Sequence, residues 1–489
     1  MLISPVLGYT LLAAFGLTML FLTYFFQRNQ PVTTNVFLVY NRVAGTLLGS
    51  FSIASSWIWA PALFVSSEMA YKYGLAGMLW FCIPNTLTVI FFGPFAYRLR
   101  SIAPHGYTLP EFIKARFDNR THLVYLFSFM TLQICSVGTQ ILGGASAINW
   151  LTGIPVVTVA ALLTIIVLTY AVISGMRASL ITDFIQMTMM ILACLIIAPW
   201  SIHNAGGIAA LKGGLSGFSG KFNNIFNWEV ARSFGLIATI GWFSGLLADQ
   251  QHWQRAFTIK KDKLKITYLM AGLIFAIVPV SLDLLGLLAA NPTVNNNWPV
   301  PSSQLIGMIT MSHLLPSFAL VLFILMILAG LASTQDSALC AASSLYAVDV
   351  HRAYINPKAT DKEILRISRW VMVAVSLLGF GIAIIPGMKI LYIFLFYATL
   401  RVATFVPTIL SLFWKKTNKT GVFYGVASSI LIGMPLFTYG SIKDNADLKL
   451  FSCFLVLALS AGITFLFSLI KPENFDYSQI PSKEKGDFA

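Results

Sequence analysis

From Pro5 to Ile470 the chain repeats one pattern: apolar residues run for long stretches, stop at a short polar or basic connection, and resume. These runs show neither the strict alternation of a half-buried strand nor the one-sided stripe of a soluble amphipathic helix. A run of roughly 20 apolar residues, wound as a helix, matches the thickness of a bilayer's hydrocarbon core. The runs fall near 5–26, 43–72, 76–97, 122–150, 155–174, 180–203, 229–251, 266–290, 316–348, 366–386, 389–414, 419–439 and 450–470. They predict an all-α membrane protein with thirteen transmembrane helices. The first run has no Lys or Arg ahead of it, so it lacks the basic n-region of a secretory signal and is expected to be retained.

Composition agrees with that reading. The 489 residues are 57% hydrophobic and 10% charged, against about 25% charged in an average soluble domain, and mean hydropathy is +0.78. A net charge of +14 would suit nucleic acid if it formed one surface, but it does not. Arg98, Arg100, Lys114, Arg116 and Arg120 fall in one connection; Arg255, Lys260, Lys261, Lys263 and Lys265 in another. Arg352, Lys358, Lys362, Arg366 and Arg369, then Lys415, Lys416 and Lys419, mark two more, with Lys- and Arg-poor connections between. That alternation is the positive-inside pattern. It predicts contact with lipid and not nucleic acid, in a bacterial inner (plasma) membrane. The N-terminus is expected outside and the C-terminus in the cytoplasm, where Lys471, Lys483 and Lys485 lie in a short, mobile tail.

The chemistry of enzymes is not visible. The six histidines lie mostly near helix ends and form no HExxH, and no P-loop is present. The five cysteines are scattered through apolar runs without metal-ligand spacing, as buried free thiols are. No obligate protein partner is implied. An ion gradient or passive movement is the remaining energy source for a solute.

Polar residues inside the apolar runs carry the functional signal. In AGLASTQDSALCAASSLYAVD, residues 329–349, Gly330, Ser333, Thr334, Ser337, Ala341 and Ser344 share one helix face, with Asp336 beside them. Small and hydroxyl residues also serve helix packing, but a carboxylate in a spanning helix costs roughly 2.5–3.5 kcal/mol on insertion scales and marks a functional site. An oxygen-lined cation site is the better reading. Residues 43–72 carry FSIASSWIWAPALFVSSE, where small residues and a proline interrupt the run. Interrupted helices in matching positions of two repeats mark transporter binding sites. Residues 43–203 and 229–414 contain five predicted helices each, which requires two repeats of opposite orientation.

Other intramembrane ionisable residues are open to two readings. Asp183 lies one turn from Gln186 and is either a cation-neutralising carboxylate or a structural partner of Arg177. Asp283 and Arg401 are expected to lie in the interior, with Arg401 available to an acid. In DQQHWQRAF, residues 249–257, Arg255 is expected to begin the basic cytoplasmic loop. Asp249 and Gln250 then stand at the inner helix end, facing a cytoplasmic exit path or simply hydrated.

YTLPEFIKARF at 107–117, SGMRASLITDFIQ at 174–186, DQQHWQRA at 249–256 and the stretch from Ser333 to Tyr354 together resemble the sodium:solute symporter family over nearly the whole chain. The resemblance implies a leucine-transporter-like fold. An N-terminal helix and loop (1–42) precede a five-plus-five inverted repeat (43–203 and 229–414), separated by an extracellular loop (204–228). Two C-terminal helices (415–470) and the cytoplasmic tail (471–489) follow. It further implies a Na+ site built from the carbonyls of Ala54, Trp57 and Gly330 and the hydroxyls of Ser333 and Thr334. Asp183, Asp336 and Ser337 would form a second cation site, at which a carboxylate at 336 departs from the family's hydroxyl. SSWIWAPALFVSSEMAYKYGLAG and DQQHWQRA look most like the urea-transporter branch. Ser56, Trp57, Trp59, Trp80, Trp242, Asp249 and Gln250 are then the candidates for contacting a small polar solute. The expected function is Na+-coupled import of such a solute, urea first. Proline, another amino acid or a different organic solute is the alternative, and a passive channel or sensor is the alternative of another class.

Overall fold

The computed structural model describes residues 3–28, 32–295 and 297–480. Lys483 and Lys485 lie outside the described residues. Among the described residues twelve helices are long and apolar enough to cross a membrane, and the architecture is all-α. In chain order the main elements are α1 (Pro5–Gln27), α2 (Thr46–Trp57), α3 (Ala60–Ile102), α4 (Asn119–Thr152), α5 (Val156–Ser174) and α6 (Met176–Asn204). They continue as α7 (Trp228–Leu247), α8 (Gln250–Thr258), α9 (Leu264–Ala290) and α10 (Ser317–Ile355). The last four are α11 (Asp361–Ala383), α12 (Ile390–Phe413), α13 (Lys419–Ile442) and α14 (Ala446–Ile470).

The count of thirteen crossings depends on α3. Its backbone leaves helical geometry at Gly74, with φ 59° and ψ −139°. A Cβ at this position would lie 2.0 Å from the Leu215 carbonyl oxygen, so the turn needs glycine. Leu75 N donates to Leu215 O and Phe218 N to Tyr71 O, each at 2.8 Å, which fastens the connection after α6 to the bend. Twelve helices qualify by length and composition, and thirteen would require the two sides of Gly74 to cross separately, with α2 joined to the first.

Two interruptions organise the interior. Between α2 and α3, Ile58 and Trp59 are non-helical. Pro61 is the cause: it has no N–H to donate back to the Trp57 carbonyl, and its ring crowds that turn. Ala60 N, which would serve Ser56 O in a continuous helix, is instead capped by Gln140 Oε1 of α4 at 2.8 Å. Between α7 and α8, Ala248 and Asp249 are non-helical. Asp249 Oδ1 caps the new helix by accepting from Gln251 N at 3.0 Å, and Trp253 Nε1 satisfies the Leu247 carbonyl left over from α7 at 2.8 Å.

α3 packs along α9, α2 lies between α6 and α9, and α10 packs on α4 and α6. α1 rests against α5 at the periphery, and α13 and α14 pack together beside α12. The segment after Ile470 is docked as far as Ile480, contrary to the expected mobility. Arg98 and Arg116 lie over the Tyr477 ring at 5.0 and 4.9 Å, and Tyr477 OH donates to Ser411 O at 3.0 Å.

The basic connections predict the orientation of all these elements. Cysteines placed at the exposed positions Lys261 and Thr293, at opposite ends of α9, are expected to react with an impermeant thiol reagent from opposite faces of sealed vesicles. Labelling of both from one face would overturn the topology.

Candidate functional site

The break between α2 and α3 frees backbone carbonyls, and α10 brings its hydroxyls to them. Ser333 Oγ donates to Ser55 O at 2.9 Å and lies 3.2 Å from Gly330 O. Thr334 Oγ1 lies 3.0 Å from Ile58 O, 3.3 Å from Ser56 O and 3.2 Å from Gly330 O. A Cβ on Gly330 would come within 3.1 Å of Leu63, so the missing side chain lets α10 close on the break. Of the carbonyls expected from the resemblance, Gly330 stands in this cluster, whereas Ala54 O accepts the helical bond from Ile58 N at 3.1 Å. The Trp57 carbonyl is the one Pro61 cannot satisfy. The oxygens gathered here are therefore those of Ser55, Ser56, Ile58 and Gly330 with two hydroxyls, one register step along α2 from the expectation.

An aromatic and amide-rich cluster lies on the other side of the same break. Trp57 and Trp59 stack with ring centroids 5.5 Å apart, and Trp59 meets Phe394 and Tyr397 of α12 at 5.0 and 5.7 Å. The Arg401 guanidinium lies over all of Trp57, Trp59 and Tyr397, at 5.8, 5.3 and 4.7 Å. It donates through Nη2 to Asp249 Oδ2 at 3.1 Å, joining α12 to the second break. Gln133 Nε2 donates to Asp249 Oδ1 at 3.0 Å, and Gln251 Nε2 to Gln133 Oε1 at 3.1 Å. Trp57 Nε1 donates to Asn85 Oδ1 at 2.7 Å. Gly245 makes the approach feasible, since a Cβ there would sit 3.0 Å from Trp57 and 3.1 Å from Arg401 Nη1.

Several polar atoms in this cluster have no hydrogen-bond partner among the described residues. They include Trp59 Nε1, Asn85 Nδ2, Gln140 Nε2, Arg401 Nε and Nη1, and Gln251 Oε1. Buried polar atoms are nearly always satisfied. Five of these atoms are donors, carried by residues in or next to the Trp57–Trp59 cluster, and unsatisfied donors of this kind suit a small polar solute with an acceptor oxygen.

The other expected contacts are distributed. Trp59 and Asp249 belong to the cluster, and Ser56 contributes its carbonyl while its hydroxyl donates to Ile53 O at 3.0 Å. Trp80 instead donates to Ile225 O at 3.0 Å and packs with Phe222 and Val230 under the 204–228 connection. Trp242 packs edge-on against Phe81 and Phe234. Gln250 is held elsewhere: its Nε2 donates to Tyr107 O at 2.9 Å, and its Oε1 accepts from Leu109 N at 3.3 Å. It joins DQQHWQRA to YTLPEF rather than facing the Trp57–Trp59 floor.

The third cluster corrects the reading of DQQHWQRAF. All of α8 is buried, and Arg255 is 0% exposed, not in a cytoplasmic loop. Its Nη2 donates to Asp183 Oδ2 at 2.7 Å and to Ser337 Oγ at 2.6 Å, and its Nε to Ser52 Oγ at 2.9 Å. The ion-pair partner of Asp183 is thus Arg255 and not Arg177. Asp336 accepts from Ser179 Oγ at 2.8 Å. Asp283 meets the Cys82 thiol at 2.9 Å.

Gln133, Gln140, Asn85 and Tyr397 were not singled out in the sequence. Gln133 and Gln140 were the findable ones: seven residues apart, they repeat on one face of a long apolar helix.

A paired set of broken helices holding polar groups in the interior of an apolar bundle defines a secondary transporter of the leucine-transporter fold. The chain matches the sodium:solute symporter family across residues 37–429 and belongs to it. It is 25% identical to a urea-proton symporter of Oryza sativa subsp. japonica, over 97% of this chain and 72% of that one. It is 24% identical to a high-affinity proline transporter of Bacillus subtilis, over 90% and 96%. In structure it resembles a Na+-coupled sialic acid symporter in a substrate-bound outward-open state, with a TM-score of 0.79 over 96% of this chain and 99% of that one at 16% identity. A nucleobase-cation-symport-1 family transporter follows at 0.60, over 91% and 97% at 12% identity. The protein is a membrane transporter and not an enzyme.

Proposed function

We propose that the protein is a Na+-coupled secondary active symporter that imports a small polar solute by alternating access, with urea the favoured solute. The observation that carries the cation is the meeting of α10 hydroxyls with carbonyls released at the α2–α3 break. Oxygen-only donors of this kind suit a small hard cation, and unwound carbonyls hold Na+ in transporters with discontinuous helices. Ser333 and Thr334 would supply hydroxyls, and Gly330 and the carbonyls from Ala54 to Ile58 the rest. The repeat boundaries 43–203 and 229–414 belong to the same proposal, since they put the two interruptions in equivalent helices. So does an outside N-terminus in a bacterial plasma membrane.

Urea is supported by the donors around Trp57 and Trp59 and by relatives named as urea transporters. Its carbonyl oxygen would accept from Arg401, Trp59 Nε1 or the amides of Asn85 and Gln140. Its N–H groups would reach Gln251 Oε1 or Asp249. Its plane would lie against an indole face. Driving force is sufficient: one charge moving down 100 mV yields about 2.3 kcal/mol, or roughly fifty-fold accumulation at about 1.4 kcal/mol per decade. Proline or another amino acid is the second reading, favoured by the proline-transporter relative and by Arg401 as a carboxylate partner.

Purified protein in liposomes under an inward Na+ gradient is expected to take up labelled urea saturably, with competition by unlabelled urea and none by proline. Saturable proline uptake with no response to urea would replace the solute and keep the symporter. Equal uptake with and without the gradient would favour a channel.

A further inference from the structure

We propose that a groove between α3, α7 and α12 binds one acyl chain of an anionic phospholipid, whose phosphate is held by Arg98, Lys261 and Lys265 at the groove's basic end. The site involves neither the coupling ion nor the solute.

The groove has a volume of about 320 Å³, and its walls include Phe91, Phe92 and Phe95 of α3, Phe243 and Leu247 of α7 and Phe405 of α12. Folded interiors leave few voids larger than a water molecule, and ligand sites begin at roughly 300 Å³. Thr88 brings the one hydroxyl to the lining, and it is spent on Pro84 O at 2.8 Å. A polar solute therefore finds no partner here. The groove opens at the outer surface of the bundle, where Phe91 is 51% exposed. In a bilayer the neighbour of such a surface is hydrocarbon. The Phe91 and Phe243 rings, 6.2 Å apart, bridge α3 and α7, and Phe95 stands edge-on to Phe413 of α12 at 5.7 Å.

α3 carries the groove towards charge. Phe91, Phe95 and Arg98 follow at i, i+4 and i+7 and so share one face, with Arg98 about 10 Å along the helix from Phe91. Arg98 lies over the Phe413 ring at 5.8 Å. Among the described residues only its Nε makes a hydrogen bond, to Leu412 O at 3.0 Å, which leaves the Nη pair for a phosphate. Tyr97 is flanked by two lysines, with Lys265 Nζ 4.7 Å and Lys261 Nζ 5.6 Å from its ring. Both lysines are exposed, and no acid among the described residues pairs with either; Asp262 between them is taken by Lys263 at 3.4 Å. An apolar groove that ends among three such cations fits a ligand with an anionic head and a hydrocarbon tail, and basic residues at a membrane surface attract anionic lipid.

The chain in the groove would pack against the second helix break. Leu247 ends α7 just before Ala248 and Asp249, and its carbonyl accepts from Trp253 Nε1 of α8 at 2.8 Å. Phe405 stands one turn beyond Arg401 on α12. The lipid thus supports both elements that hold the break.

Phe91→Trp places a fluorophore in the groove, and Leu192→Trp, at a position 56% exposed on α6, places one on the open bundle surface. In phosphatidylcholine nanodiscs, acyl-brominated phosphatidylglycerol is expected to quench the added Phe91→Trp fluorescence at a roughly ten-fold lower mole fraction than acyl-brominated phosphatidylcholine. The basis is that each basic side chain near an anionic head strengthens binding by about five-fold. Leu192→Trp should respond equally to the two lipids, and inorganic phosphate should not relieve the quenching at either position. Lys261→Gln with Lys265→Gln changes two exposed side chains and is expected to fold; in the Phe91→Trp background it should lose most of the preference, and Arg98→Gln the remainder. Phosphatidylglycerol should also raise the melting temperature of wild type in detergent more than phosphatidylcholine does, as a ligand of the folded state must, and this difference should vanish in the double-lysine variant. Equal quenching by both lipids at Phe91→Trp, the same preference at Leu192→Trp, a full preference in the double-lysine variant, or relief by phosphate would each overturn the proposal. Protection of Phe91→Trp from both lipids, in a particle carrying two chains, would overturn it in favour of a second copy of the protein on this face.

Discussion

Arg401→Met and Asp249→Asn are each expected to lower both the thermal stability of the purified protein and its transport, since either one leaves a lone buried charge. Arg401 and Asp249 are 2% exposed each, and their ion pair at 3.1 Å joins α12 to the second helix break. Removing the arginine leaves a carboxylate whose remaining partners are Gln133 Nε2 and Gln251 N, both at 3.0 Å. Breaking a buried pair from one side costs about 3–5 kcal/mol, a large share of the roughly 5–15 kcal/mol that holds a typical domain. Asp249→Asn keeps the shape and most hydrogen bonds while losing the charge that orients Arg401. The double variant, Arg401→Met with Asp249→Asn, should recover much of the melting temperature because no buried charge is left alone. It should not recover uptake, because the guanidinium that reaches over Trp57, Trp59 and Tyr397 is gone. Melting curves in detergent, set beside uptake in liposomes, check both halves. A single Arg401→Met variant that melts like wild type would mean the pair does not support the fold. A double variant that transports normally would remove Arg401 from the solute site.

The fold was legible because a bilayer demands long apolar runs, and those runs are written residue by residue. The first interruption was legible too: Pro61 and the small residues before it sit inside a run and leave a carbonyl no helix can satisfy. The second was only half visible. DQQHWQRAF follows an apolar run and precedes Lys260 and Lys261, so hydropathy ends the helix there and assigns the rest to water. In the folded chain, α8 is polar yet buried, because Gln250, Gln251, Gln254 and Arg255 find partners on distant segments. Gln254 Nε2 donates to Leu38 O at 2.8 Å, Gln250 Nε2 to Tyr107 O at 2.9 Å, and Arg255 to Asp183, 72 residues away. Satisfaction of that kind leaves no periodic trace. For the same reason, nearby Arg177 competed for Asp183 on sequence distance alone. Trp80 was misplaced by a related limit, since tryptophan in an apolar run says nothing about which interior wall it faces.

Thr334→Ala is expected to raise the Na+ concentration for half-maximal uptake by roughly ten- to a hundred-fold, with Ser333→Ala at the lower end. Hydrogen bonds to charged groups are each worth about 1.5–3 kcal/mol, and each 1.4 kcal/mol or so is a factor of ten; a hydroxyl withdrawn from a cation falls on the same scale. Thr334 carries the larger effect because its Oγ1 spans the break, within 3.3 Å of carbonyls on both Ser56 and Ile58 and 3.2 Å from Gly330 O. Ser333 shares Gly330 O, at 3.2 Å, but meets a single carbonyl of the broken helix, Ser55 O. Both positions are buried in the α10 face, and alanine there removes a single oxygen or an oxygen and a methyl, so protein abundance should change little. Thr334→Ser keeps the hydroxyl and is expected to stay within a few-fold of wild type by the same hydrogen-bond scale. The measurement is uptake against Na+ at fixed membrane potential and fixed pH, with abundance in the liposomes determined in parallel. Unaltered Na+ dependence in a well-incorporated Thr334→Ala protein would move the cation away from the α2–α3 break. Restoration by Thr334→Ser but not by high Na+ would instead make the hydroxyl a structural clamp on the broken helix.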